Sequence, residues 1–221
     1  KRQLFGNASI GFDWGKDEVG TTKWVERDLV FYSKEKGNNT SRGTMILGSL
    51  SKRIEGIRGM VNAKCLGFLN RATILQNGES VDYKTNMWQT SVGLNSNVHD
   101  WLEIDYQLGY NINSLSFSKA KTSTKLLTQA LNISFLPIED LTLTVMAEHY
   151  ANYFSSLPSK QTIFSDIKCS YRYRKIDIVG SLTNVFNQKD YNNTAYTDLS
   201  SSYTRYALRG RTFLLSLVAY F

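Results

Sequence analysis

The feature that most limits what this chain can become is a period of two that returns, stretch after stretch, along most of its length. Near the C-terminal end Phe213, Leu215, Leu217, Ala219 and Phe221 share one parity and are all apolar. Such alternation puts one set of side chains on one face of a β-strand. Upstream, Leu4, Ala8, Ile10, Phe12 and Trp14 alternate with Asn7, Ser9 and Asp13, and Leu102, Ile104, Tyr106, Leu108, Tyr110 and Ile112 with Glu103, Asp105, Gln107, Asn111 and Asn113. Leu141, Leu143, Val145 and Ala147 oppose Thr142, Thr144, Glu148, Tyr150 and Asn152; Ile163, Ile167, Cys169, Tyr171 and Tyr173 oppose Asp166, Lys168, Ser170, Arg172 and Arg174. The chain is read as all-β, with about ten strands, nine to eleven being allowed by a possible hairpin arm at Trp24 to Tyr32.

The connections carry a second regularity. Short turns fall at Arg53 to Gly56, Asn97 to Asp100, Pro137 to Asp140 and Arg174 to Lys175. Longer polar stretches fall between them, at Gly15 to Gly43, Gln76 to Tyr83, Lys119 to Thr124, Ser155 to Lys160 and Asn187 to Ser202. Tight turns at one end and long loops at the other are the pattern of an antiparallel up-and-down transmembrane β-barrel. A Greek-key sandwich has no reason to gather its short turns at one end. The strands also exceed the usual five or six residues of soluble sheets. Trp101 near a short turn, and Trp14, Tyr110, Tyr150 and Tyr153 towards the other end, suit interfacial girdles, and each taken singly suits ordinary packing equally.

No window holds about 18 consecutive apolar residues, which excludes a transmembrane helix and leaves a barrel open. Cys65 and Cys169 have no metal-ligand spacing and read as small apolar residues. The formal net charge of +7 comes from scattered basic residues rather than a stripe with stacking aromatics, so nucleic-acid binding is not expected. Lipopolysaccharide phosphates or an anionic substrate suit it better, and ordinary solvated charge nearly as well.

The segment Ser181 to Tyr191, SLTNVFNQKDY, followed by the alternating terminal strand, resembles the C-terminal end of TonB-dependent outer-membrane receptors, most like those of Bacteroidetes-type bacteria. Leu182, Asn184, Phe186 and Asn187 match the Leu-x-Asn-x-Phe-Asn signature of that family's penultimate strand, and Phe221 its C-terminal assembly signal. The similarity of pattern runs more weakly back to about Arg53.

The resemblance implies a bacterial outer-membrane barrel of about 22 strands closed around a plug. Ten strands cannot enclose a plug, so residues 1–221 are expected to be the C-terminal part of one barrel domain, with the plug and the TonB-engaging segment upstream of Lys1. It implies energised uptake of a nutrient or metal chelate. The implied partners are outer-membrane lipid and lipopolysaccharide, the TonB complex through the missing N-terminal region, the barrel assembly machinery and a small-molecule or metal-chelate substrate. No cofactor is implied.

The competing reading is a self-contained ten-stranded outer-membrane barrel, an omptin-like protease or an adhesin. Protease chemistry wants an Asp-His pair at the outer rim to activate water. The chain has two histidines, His99 in a short turn and His149 in the apolar parity beside Glu148, and neither position suits a dyad. The chain is therefore read as non-enzymatic. For contact with lipopolysaccharide or ligand the candidates are Arg205, Arg209 and Arg211, expected at the outer end of the last strand, where pairing with loop acids such as Asp190 and Asp198 suits them equally.

Overall fold

The computed structural model describes residues 3–16, 19–26, 29–36, 40–76, 79–117, 120–154, 160–196 and 201–220. They form fourteen strands: β1 (Leu4–Lys16), β2 (Val19–Glu26), β3 (Leu29–Lys36), β4 (Thr40–Ile54), β5 (Gly59–Gln76), β6 (Glu79–His99), β7 (Leu102–Phe117), β8 (Ala120–Ile138), β9 (Leu141–Phe154), β10 (Lys160–Tyr173), β11 (Ile176–Thr183), β12 (Asp190–Tyr196), β13 (Ser201–Ala207) and β14 (Thr212–Ala219). Ten of them make one antiparallel sheet in the order β1-β4-β5-β6-β7-β8-β9-β10-β11-β14. Between β1 and β4 the chain makes the hairpin β2–β3, which joins that sheet through a parallel bridge from Lys23 to Gln76 of β5, and between β11 and β14 it makes the separate hairpin β12–β13.

Antiparallel register puts directly paired residues on the same face. Reading across the sheet, Ile104 pairs with Ile133, Ile133 with Val145, Val145 with Ile167, Ile167 with Leu182 and Leu182 with Phe213. Nearer the other edge Ile10 pairs with Ile46, Ile46 with Gly67, Gly67 with Trp88 and Trp88 with Ile112. The apolar parity of every strand therefore falls on one continuous face. The opposite face carries Asp13, Glu103, Asp105, Glu148, Asp166, Lys168 and Arg172 among hydroxyls and amides.

The sheet is a single layer. Its buried hydrophobic residue is Ala151, whereas Leu217 is 67% exposed and Phe12 65%. The accessible surface is 15687 Å², against about 10,300 Å² for a globular protein of 25.1 kDa. Each edge strand has one neighbour among the described residues, β4 for β1 and β11 for β14.

Four tight turns share one end of the sheet. Between β4 and β5 a 3-10 turn over Glu55–Ile57 closes on Arg58, whose φ of 46° is left-handed. Arg58 reaches Asp100 in the neighbouring turn at 2.7 Å. Arg174, at φ 56°, turns the chain between β10 and β11. Both register irregularities lie beside such turns, at Asn97/His99 and Phe135/Ile138. The turns are staggered. Measured from the row containing Ile54, Ser96, Ile133 and Ile167, β4 ends at Ile54, β6 three residues past Ser96, β8 five past Ile133 and β10 six past Ile167.

Several boundaries differ from those expected. The described parts of the expected loops Gln76 to Tyr83 and Lys119 to Thr124 are strand: β5 runs to Gln76, β6 starts at Glu79, and β8 starts at Ala120. Backbone pairing satisfies amides whether or not the side chains alternate, so both hairpins extend through polar sequence. Asn187 to Ser202 likewise contains β12 and the start of β13. The expected strand Ile176 to Phe186 stops at Thr183, because Asn184 takes φ 54°. The hairpin arm at Trp24 to Tyr32 is present as β2 and β3.

Gly67 lies opposite Trp88, whose ring covers it; a Cβ at Gly67 would meet Trp88 Cζ3 at 2.7 Å. Gly67→Val is expected to displace that ring and cost about 1–3 kcal/mol, as overpacking does. Urea unfolding followed by tryptophan emission measures both effects, and an unchanged midpoint and spectrum would contradict the packing.

Candidate functional site

The residues of the Leu-x-Asn-x-Phe-Asn segment gather at the corner where β11 hands over to β12–β13 and then β14. Leu182 ends the regular pairing on the apolar face, opposite Ile167 and Phe213. Asn184 and Asn187 then adopt left-handed φ values of 54° and 53°, which asparagine tolerates better than most residues. The Asn184 amide donates to Asp166 Oδ1 at 2.8 Å, and Val185 N donates to the Ser165 carbonyl at 2.8 Å, prolonging the ladder past the end of β11.

The Asn184 carboxamide is fully used. Its Oδ1 accepts from Gln188 N at 2.8 Å, while Nδ2 donates to the carbonyls of Gln188 and Arg209, each at 2.8 Å. Asn187 Oδ1 accepts from Arg211 N at 3.2 Å. Arg211 in turn donates through Nε and Nη2 to the Val185 carbonyl at 3.0 and 2.6 Å. Two asparagines and one arginine thereby tie the start of the β12–β13 excursion to its return. Phe186 is 59% exposed and takes no part in this network.

The excursion lies against the polar face. Tyr191 stacks on Tyr206 with centroids 6.1 Å apart, and Tyr191 meets Tyr150 at 6.2 Å and Phe164 at 6.2 Å. Tyr150 and Phe164 belong to the polar parity of β9 and β10. Of the two roles expected for Tyr150, girdle or packing, packing is the one observed: its ring meets Tyr191 of the hairpin and its hydroxyl donates to Glu148 at 2.9 Å. A cavity of about 470 Å³ opens beneath the corner, lined by Glu148, Phe164, Asp166, Asn184 and Arg209 among others. Its two carboxylates and one guanidinium suit recognition of a polar ligand.

The three arginines expected together on the last strand are separated. Arg205 lies on β13, where its guanidinium forks onto Asp190 at 2.9 and 2.6 Å. Arg209 and Arg211 occupy the link before β14. Phe221 lies outside the described residues. His99 stacks on Trp101 at 5.1 Å beside a tight turn, and His149 Nδ1 lies 3.4 Å from Gln129 Nε2 on the apolar parity. Cys65 and Cys169 are free thiols on that same parity. No group of three metal-binding side chains occurs among the described residues.

The roles that sequence reasoning missed are those of Asp166, Tyr150 and Phe164, since each acquires its role from a partner distant in sequence, Asp166 from Asn184 and the two rings from Tyr191. Compared with family models, with curated proteins and with solved structures, the chain matches none of them.

Asn184→Ala removes three hydrogen bonds and strains a left-handed residue, and is expected to cost about 1–3 kcal/mol. Asn184→Gly relieves the strain but not the lost bonds and should fall between wild type and alanine. Trypsin cleavage at Lys189, Arg205 and Arg209 reads the release of the hairpin; equal cleavage rates in all three proteins would contradict the tether.

Proposed function

We propose that this chain forms wall, outer loops and closing strand of an outer-membrane β-barrel of the TonB-dependent receptor type, a transporter for a nutrient or metal chelate. One observation carries the reading: a ten-stranded antiparallel sheet whose apolar parities merge into a single face that no other described element covers. In water such a layer needs a second layer to bury that face. In a bilayer hydrocarbon takes its place, while the ladder satisfies the backbone as the membrane interior demands.

The stagger of the tight turns, close to one residue per strand, supports closure into a barrel, where tilted strands require a steady shear. A self-contained ten-stranded barrel would need β1 to pair with β14. Each has one neighbour among the described residues, which favours completion by further strands. In this reading the polar face lines the lumen and the β12–β13 hairpin leans into it, where Tyr191 and Tyr206 stand near a plug or a passing ligand. Energy would come through the TonB complex, acting on a plug supplied by other sequence. The barrel assembly machinery would recognise the terminal strand.

Charges introduced on the two faces separate this proposal from a soluble sheet. Leu143→Arg and Ile167→Arg are expected to lose about 2–4 kcal/mol each near the membrane midplane, whereas Thr144→Arg and Lys168→Glu should be tolerated. The readout is the heat-modifiable, membrane-extracted fraction of the full-length gene product. Equal tolerance at all four positions, or recovery of the wild type in the soluble fraction, would overturn the proposal.

A further inference from the structure

The apolar face carries charge of almost one sign. On the ten-strand sheet its parity holds Lys16, Arg42, Lys52, Arg71, Lys84, Lys121 and Lys125, and one described carboxylate, Asp82. The opposite face mixes both signs. Four of these cations lie in one cross-strand row: Arg42 pairs with Arg71, Arg71 with Lys84, Lys84 with Ser116, and Ser116 with Lys121. With neighbouring strands about 4.8 Å apart, the row from β4 to β8 extends over about 19 Å.

Directly opposed like charges destabilise a sheet, and no described residue forms a salt bridge that relieves them. All four side chains are exposed. Asp82, diagonal to Arg71, accepts from Thr73 Oγ1 at 3.2 Å and is one carboxylate against four cations. A cavity of about 1060 Å³ opens at this row, with Trp14, Arg42, Arg71, Thr73, Lys84 and Ser116 among its walls.

The row's position is as informative as its sign. It lies towards the end of the sheet away from the tight turns, four residues from the row of Ile46, Trp88 and Ile112, or about 13 Å along the strand. Lys125, in that lower row, lies between Ile112 and Tyr153. Cations tolerated at the edge of an outward apolar band have long stems to cover apolar surface and heads to meet charge at the membrane boundary.

We infer that Arg42, Arg71, Lys84 and Lys121 form an outward-facing binding row for the phosphate groups of glycolipids in the surrounding leaflet. The inference rests on the barrel reading above. Guanidinium groups at Arg42 and Arg71 match phosphate with paired donors, while Lys84 and Lys121 act as point charges. The charge excess thereby has an anionic counterpart without any base-stacking surface.

The test uses the full-length gene product extracted from membranes, as wild type and as Arg42→Gln/Arg71→Gln/Lys84→Gln/Lys121→Gln. Binding is measured in maltoside micelles doped with diphosphoryl or with dephosphorylated lipid A, in the presence and absence of inorganic phosphate. The wild type is expected to prefer the diphosphoryl lipid, with at least a tenfold loss of affinity in the quadruple variant. A control, Lys64→Gln/Lys168→Gln/Arg172→Gln on the opposite face, should bind as wild type.

Equal affinity for both lipids, an undiminished quadruple variant or an equal loss in the control would overturn the row. Full displacement by inorganic phosphate alone would also overturn it, leaving a small-anion site. Single Arg71→Gln and Lys84→Gln proteins, each expected to lose about half of the effect on a logarithmic scale, keep the question answerable if the quadruple variant does not assemble. A wild type absent from the membrane fraction refutes the barrel reading itself, whereas a membrane-inserted protein with no phosphate preference refutes only this inference.

Discussion

Everything else in the molecule depends on the register of the antiparallel ladder. With a side-chain period of two, a slip of one residue between any two neighbours would send one strand's apolar set to the opposite face. Across the nine pairings from β1 to β14 no such slip occurs within the body of the sheet. The two irregularities, at Asn97/His99 and Phe135/Ile138, fall beside tight turns, where little sheet remains to be inverted. A single apolar face is therefore a property of the register as much as of the sequence.

That face explains why the chain has almost no interior. Packing within the layer is confined to cross-strand neighbours, such as Trp88 over Gly67 and Trp101 edge-on to Phe135 at 5.5 Å. Such contacts shape a surface; they do not bury it. The polar face is partly roofed at one corner by β12–β13 through Tyr150, Phe164, Tyr191 and Tyr206. The two faces thus have different tasks, one offering continuous apolar area to its surroundings and the other presenting polar groups to a space the hairpin enters.

The sequence made the strand faces and the tight turns legible, because both are encoded locally. Parity at Leu102 to Ile112 and at Leu141 to Ala147 needs no knowledge of a partner, nor do turn residues such as Pro137 to Asp140. The far ends of the hairpins were not legible. Over Glu79 to Tyr83 and Ala120 to Thr124 the side chains are mostly polar and do not alternate cleanly, and backbone pairing keeps them in strands. The corner was legible as a motif but not as a structure. Asn184 and Asn187 stand out in sequence, whereas their partners, Asp166, Arg209 and Arg211, are brought to them by the fold.

The corner and the cation row answer to the same constraint from opposite directions. Where the ladder runs out after Thr183, backbone groups lose their strand partners, and the side chains of Asn184, Asn187 and Arg211 take over that role. Polar side chains are required there because the backbone demands them. At Arg42, Arg71, Lys84 and Lys121 the ladder is intact, so the backbone demands nothing of those side chains. Four exposed cations aligned across paired strands form no salt bridge among the described residues. Their common sign points outwards, to whatever anionic surface borders the apolar face.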